Sequence, residues 1–278
     1  HRYFAPLVPG VSFMPFPYCY RCLFGQSYPG CDFLCFEFIR EYLRKVIPPE
    51  EVAAVITEPI QGSSGYIIPP PEYYPMLKEL CDEHDWIFIA DEIQTGLGRT
   101  GKMFAMEHWK VIPDIICVAK ALAGGMAPIG ATIASAKIMD WEPGAHASTF
   151  GGNLIACAAA LEGLDILEKQ RLVHRAEELG ELALKRLQEL AEESRLIGEV
   201  RGKGLLLAVE MVKDEQTKER AVEERNAVVR EALNRGLIVF RGGRSIIRIA
   251  PPLTINRREL VLGLDILGEA LHEVERKC

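Results

Sequence analysis

Three short apolar segments, each leading into a charged residue, constrain the fold of this chain most strongly. The segments VAAVIT, WIFIA and DIICVA run directly into Glu58, Asp91 and Lys120. Patterns of helical spacing separate them, and apolar strands that alternate with helices favour a parallel or mixed sheet covered on both faces. Ligands of such sheets bind beyond the carboxyl ends of the strands. We therefore expect these three side chains to share one functional rim.

The remaining patterns predict an α/β protein in two parts. In the first part we predict strands at 52–60, 86–92, 114–120 and 130–135, with helices at 36–46, 71–84 and 153–170. In the second we predict helices at 171–194, 217–235 and 257–277, with strands at 204–212, 236–240 and 245–250. We place a larger domain with a mixed, mostly parallel sheet at 1–165. A smaller α+β domain would occupy 166–278.

Charge and composition argue against several classes of partner. The net charge of −7 and the absence of a basic block disfavour nucleic acid. No apolar run approaches the ~18 residues of a membrane span, so we expect none. Four of the eight cysteines, Cys19, Cys22, Cys31 and Cys35, form the pattern C-x2-C-x8-C-x3-C. We predict no metal site, but a zinc site there remains an alternative, because only the first pair has ligand spacing. Cysteine usage favours a cytoplasmic protein.

The segment GLGRTGKM (96–103) allows two interpretations. Gly96, Gly101 and Lys102 match most of the phosphate-binding pattern G-x-x-x-x-G-K-[ST]. Met103 stands where that pattern needs a hydroxyl for Mg²⁺, and no strand leads directly into Gly96. The alternative is a glycine-rich turn that allows the residues before it to face a ligand.

Asp91 and Lys120, at two strand ends about thirty positions apart, fit the chemistry of pyridoxal phosphate (PLP). A lysine amine forms a Schiff base with the cofactor aldehyde. A carboxylate beside the pyridine nitrogen favours its protonated form, because opposite charges stabilise each other. Bland alternatives exist for each residue alone, since lysines at strand ends commonly extend to water.

The chain resembles the class III aminotransferases, a fold-type I PLP family that includes 4-aminobutyrate, ornithine and acetylornithine aminotransferases. The resemblance rests on five segments: EPIQG (58–62), DEIQTGLGRTG (91–101), PDIICVAK (113–120), TFGGN (149–153) and RIAPPLTI (248–255). It implies that Lys120 is the Schiff-base lysine and Asp91 the pyridinium partner. It also implies PLP as cofactor and a homodimer with shared active sites.

The resemblance implies roles for four further residues. Gln94 would lie near the phenolic oxygen of the cofactor ring. Thr149 would donate its hydroxyl to the phosphate of the neighbouring subunit's cofactor. Arg248 would bind the substrate α-carboxylate, which its planar guanidinium matches in a bidentate manner. Glu58 would lie on the substrate side of the cofactor.

The front of the chain departs from the family pattern. Family members carry an upstream phosphate-binding turn and a ring-stacking aromatic, and neither is present, so we expect a fragment that binds PLP weakly or not at all by itself. The expected activity of the intact protein is transfer of an amino group from an ω- or α-amino acid, 4-aminobutyrate-like or ornithine-like, to a 2-oxo acid such as 2-oxoglutarate. An amino-acid racemase of the same family and an inactive fragment remain alternatives.

Overall fold

The computed structural model of the chain describes residues 4–277. Within them the α-helices are α1 (Leu34–Lys45), α2 (Tyr73–Glu83), α3 (Leu154–Lys169), α4 (Leu172–Glu193), α5 (Val222–Asn234) and α6 (Arg257–Glu275). The strands are β1 (Ala54–Thr57), β2 (Ile87–Asp91), β3 (Ile115–Val118), β4 (Ala131–Ala134), β5 (Ile197–Lys203), β6 (Leu206–Asp214), β7 (Glu219–Arg220), β8 (Phe240–Gly242) and β9 (Ile246–Ile249).

The first sheet is mostly parallel, as the sequence predicts. Its strand order is β1-β2-β3-β4; β1, β2 and β3 are parallel and β4 is antiparallel to β3. Phe88 and Ala90 of β2 are fully buried, in a core that Phe36 of α1 and Leu77 of α2 complete. The parallel register brings the ends of β1, β2 and β3 to one edge.

The second sheet has the strand order β5-β6-β9-β8, with β7 paired to β6, and all its pairings are antiparallel. Leu207 and Val209 of β6 face a core built with helices α4, α5 and α6. Leu206 and Ala208, which alternate with them, belong instead to the core of the first sheet. Because both faces of β6 are covered, its residues from Leu206 to Val212 are buried. These layers confirm the predicted α/β fold class.

Helix α3 crosses the predicted domain boundary. It runs from Leu154 to Lys169, so a division after residue 165 would fall within its last turns. The side chain of Asn153 accepts a hydrogen bond from the backbone N–H of Ala156 at 3.1 Å and so caps the N-terminus of the helix. The division at 165 stays a prediction. Among the described residues, no helix combines the length and apolar character that crossing a bilayer would require.

Candidate active site

Lys120 lies at the rim of the first sheet, just beyond β3. The strand ends at Val118, and Lys120 opens a short 3-10 turn that runs to Ala123. Its φ of 37° lies in the left-handed region, which costs a non-glycine residue about 1–2 kcal/mol. Its side chain is exposed, and Nζ donates to Oε1 of Gln94 at 3.2 Å. The amine is therefore available at the rim, without a carboxylate partner in the part of the chain that the structure describes.

Asp91 is the last residue of β2 and pairs in register with Cys117 of β3. Its carboxylate is half-buried, and Oδ1 accepts a hydrogen bond from the backbone N–H of Ile93 at 3.1 Å. No cation pairs with it among residues 4–277. Burial, together with the charge of Asp91, raises the pKa of the Cys117 thiol. This half-buried negative charge suits a cationic group of a ligand.

A buried glutamate holds the turn that follows β2. Glu92 is 1% exposed; its carboxylate accepts from the hydroxyl of Thr95 and from the backbone N–H of Met106 at 2.9 Å. Burial raises the pKa of Glu92, although these hydrogen bonds oppose the change. The turn they fix presents Gln94 to the rim.

Tyr66 is a site residue that the sequence analysis missed. It is 2% exposed, and its hydroxyl accepts a hydrogen bond from Nε2 of Gln94 at 3.2 Å. The guanidinium of Arg248 lies 5.6 Å from the centroid of its ring, within reach of a cation–π contact. Tyr66 thus connects the lysine side of the rim to the arginine side. It follows a glycine-rich loop with no strand pattern, so only its place in YIIPP next to EPIQG could have drawn attention to it.

The loop after β1 brings Glu58 and Arg248 to the same glycine. Oε2 of Glu58 accepts from the backbone N–H of Gly62 at 2.8 Å, and the Gly62 carbonyl accepts from Nη1 of Arg248 at 3.4 Å. A Cβ at Gly62 would lie only 2.3 Å from Oε1 of Gln94. Glycine is required at position 62 because the side chain of Gln94 occupies the space that a Cβ would need.

Arg248 has hydrogen-bonding capacity that the protein does not use. It lies on β9, between Ala208 of β6 and Phe240 of β8. Its Nε is buried without a hydrogen-bond partner in the described part of the chain. An unpaired buried donor is costly. A bound carboxylate would satisfy it.

Thr149 makes none of the contacts that connect the residues of the rim. It lies in an exposed segment before α3, and its hydroxyl has no hydrogen-bond partner among residues 4–277. Lys120, Gln94, Tyr66, Arg248, Gly62 and Glu58, by contrast, form one connected set, with Asp91 on the adjacent strand.

The GLGRTGKM segment is a structural turn, so the phosphate-loop interpretation is wrong. Arg99 donates to the carbonyls of Leu205 at 3.2 Å and Pro251 at 2.5 Å. Gly101 has φ +84°, and a Cβ there would lie 2.9 Å from the Cβ of Glu177. Lys102 pairs with that same glutamate at 2.7 Å. These contacts tie the turn to the ends of the second sheet and to α4, and they leave Lys102 already paired.

The four clustered cysteines line one small cavity near the start of the described chain. All four are free and partly buried. Burial, with smaller contributions from Cys31, Cys35 and Cys22, raises the pKa of the Cys19 thiol to about 11. No three Cys, His, Asp or Glu side chains of residues 4–277 are arranged to hold a metal ion. The zinc alternative therefore finds no support in this arrangement.

Comparison with known proteins identifies the family. The sequence model of the class III aminotransferase family matches residues 1–271. The chain belongs to the class III aminotransferase family. It is 47% identical over 266 residues, 95% of its length, to a leucine/methionine racemase from Thermococcus litoralis. It is 38% identical over 271 residues, 96% of its length, to a probable 4-aminobutyrate aminotransferase from Bacillus subtilis. This chain spans 60% of the length of the racemase and 62% of the length of the aminotransferase.

A solved structure has the same fold. An amine transaminase from an uncultivated Pseudomonas species, in its PLP-bound form, superposes with a TM-score of 0.92 at 35% sequence identity. The match covers 99% of this chain and 64% of the other. PLP is the cofactor of class III aminotransferases, and the residues at the rim fit it. Asp91 offers a carboxylate that pairs with no cation among residues 4–277, and Lys120 offers an exposed amine.

Proposed function

We propose that the protein transfers an amino group from an ω- or α-amino acid, 4-aminobutyrate-like or ornithine-like, to a 2-oxo acid such as 2-oxoglutarate. One observation carries the proposal: the Lys120 amine lies against Gln94 at the end of β3, beside the strand that ends in the uncompensated carboxylate of Asp91. PLP, when bound, supplies an electron sink for the carbon that bears the amino group.

Lys120 and Asp91 would handle the cofactor. Lys120 would hold it covalently through Nζ and, once released, would move the proton at the carbon that bears the amino group. Asp91 would keep the pyridine nitrogen protonated. Gln94 would lie near the phenolic oxygen of the ring, with Tyr66 fixing its amide.

Two residues would face the substrate. Arg248 would bind its α-carboxylate with the guanidinium that already has an unpaired Nε. Glu58 would lie on the substrate side, where its carboxylate is tied to Gly62 and makes no ion pair among the described residues.

We also propose a homodimer in which Thr149 reaches the phosphate of the partner's cofactor. Exposed apolar side chains surround Thr149: Phe150 is 81% exposed, Leu154 85% and Ile155 78%. Contiguous exposed apolar residues commonly mark an interface. A cytoplasmic location is part of the proposal, supported by the free state of the described cysteines.

A racemase is the second candidate, and the 47% identity to a leucine/methionine racemase favours it. Lys120 would again move the proton at the α-carbon, but the amino group would stay on the substrate. The rim residues are the same for both reactions. The third alternative is an inactive fragment.

The test supplies the chain with PLP and a single enantiomer of an amino acid in deuterated water, with and without 2-oxoglutarate. Glutamate formed only with the oxo acid supports the aminotransferase, whereas deuterium incorporation and loss of optical activity without it support the racemase. Lys120→Ala should abolish either activity, and Lys137→Ala, which removes an exposed lysine after β4, should not. If neither reaction is detected with any donor, the result supports the inactive fragment.

A further inference from the structure

An open basin rich in arginine lies on the other side of the loop that follows β1. Arg21, Arg220 and Arg244 line it, together with the polar residues Gln61 and Ser64. Its volume is about 400 Å³, within the range of small-molecule sites. Lys120, Gln94 and Arg248 do not line it. We call this feature the arginine basin.

The charges around the arginine basin do not balance. Glu210 is fully buried and pairs with Arg21, with Arg201 at 2.9 Å and with Arg220 at 3.5 Å. Arg201 also pairs with Glu199. Burial alone would raise the pKa of Glu210, but its hydrogen bonds and the arginine charges hold it below the ordinary value. Four guanidinium groups, those of Arg21, Arg201, Arg220 and Arg244, therefore face only these two carboxylates. Positive charge remains in excess even with both glutamates ionised.

Two of these guanidinium groups have donors to spare. Among residues 4–277, the side chain of Arg220 makes only its 3.5 Å ion pair, and the side chain of Arg244 makes no hydrogen bond or ion pair. Burial, together with the charge of Arg21 and a smaller contribution from Arg244, lowers the pKa of Arg220. The arginines therefore repel one another across the basin, and an anion placed between them would relieve this repulsion.

The turn that carries Arg244 is held in place before any ligand arrives. Arg225 donates to the carbonyls of Gly242 at 3.2 Å, Ile246 at 2.9 Å and Arg244 at 3.1 Å. The backbone N–H of Gly243 donates to the carbonyl of Ser63 at 3.1 Å. A fixed turn reduces the ordering cost of binding.

We propose that the arginine basin is a second ligand site, which holds a small molecule by its carboxylate or phosphate group between Arg220 and Arg244. Phe16 and Leu23, which also line the basin, offer apolar surface to the rest of such a molecule. The loop at 61–64 is the wall between the two sites, because Gly62 faces Arg248 whereas Gln61 and Ser64 face the basin. This site does not depend on the proposed reaction.

Calorimetric titration of the chain with sodium phosphate and with sodium malonate, at constant ionic strength set by chloride, tests the proposal. We expect saturable binding of at least one anion. Tighter binding of phosphate would indicate a phosphate-bearing ligand, and tighter binding of malonate a carboxylic acid. Arg220→Gln with Arg244→Gln should weaken it by at least about tenfold, from the loss of two charge-assisted contacts. Arg258→Gln, which removes an exposed arginine of α6, should leave the affinity unchanged.

Further variants keep the test decisive. Arg244→Gln alone removes no side-chain hydrogen bond or ion pair of residues 4–277, so a fall in affinity there reports binding and not unfolding. Lys120→Ala and Arg248→Gln should retain the anion, because they lie outside the basin. The proposal is overturned if neither anion binds saturably, if the double variant binds as well as the parent, or if binding disappears with Lys120 and Arg248 instead.

Discussion

Nζ of Lys120 lies 3.2 Å from Oε1 of Gln94, and the amide nitrogen of that glutamine donates to Tyr66 at the same distance. The glutamine amide is therefore fixed at both ends. A lysine that points at this amide from a strained backbone position is held where a ligand can reach it. This arrangement explains why Lys120 is not simply a solvated strand end.

Tyr66→Phe should weaken the connection between the two sides of the site. The substitution leaves Nε2 of the half-buried Gln94 without its acceptor, a loss of about 0.5–1.5 kcal/mol. We expect a lower free energy of unfolding in urea and a several-fold weaker affinity for PLP. Tyr28→Phe, which removes an exposed hydroxyl that contacts Glu72, is the matched control. Unchanged affinity for PLP would show that Tyr66 does not position Gln94.

Arg248→Lys should raise KM for amino acids by about 10- to 100-fold, because a lysine cannot match a carboxylate in a bidentate manner. Steady-state kinetics with an amino acid and with an amine that lacks a carboxylate separate the effects. We expect the KM for the amine to change little. Equal loss with both substrates would contradict the role of Arg248 in carboxylate binding.

Much of the rim could be predicted from the sequence, and the reasons are physical. Apolar strands end where they reach water, so Glu58, Asp91 and Lys120 marked the edge correctly. Tyr66 could not be predicted, because its importance comes from contacts with Gln94 and Arg248, which are distant in sequence.

Secondary structure was missed where charged side chains are buried by pairing. Strand β5 reads IGEVRGK, in which Glu199 and Arg201 resemble solvated residues, and no element is predicted there from the sequence. In the fold they pair with each other, and Arg201 also reaches the buried Glu210. The helix predicted at 217–235 begins only at Val222, because the chain first forms β7 against β6.

Glu210→Gln should destabilise the fold strongly. The residue is fully buried and accepts from Tyr18, Arg21 and Arg201, so its loss leaves buried arginine charge without a partner. We expect the free energy of unfolding to fall by about 3–5 kcal/mol in a urea titration. Glu219→Gln breaks an exposed pair with Lys213 and should change it by less than about 1 kcal/mol. Similar effects for both variants would show that the buried contacts of Glu210 contribute little to the free energy of unfolding.

Stability should decrease as the pH falls from about 6.5 towards 4, in part because of His108. Burial and the charge of Lys203 lower its pKa from 6.5 to about 4 in the folded state. A depressed histidine pKa favours the folded state above the unfolded pKa, and that contribution is lost on acidification. His108→Gln should flatten the pH dependence of the unfolding free energy in this window. His146→Gln, in an exposed segment, should leave it unchanged. The same slope in parent and His108→Gln would contradict the assignment.

Trapping of PLP on the chain tests the central claim, that Lys120 is the cofactor lysine, most directly. The chain is incubated with increasing PLP, reduced with borohydride, digested and examined by mass spectrometry. We expect the label on Lys120 at lower PLP concentrations than on any other lysine, and we expect Asp91→Asn to remove that preference. Label spread over exposed lysines such as Lys110 and Lys137 without preference for Lys120 would contradict the claim.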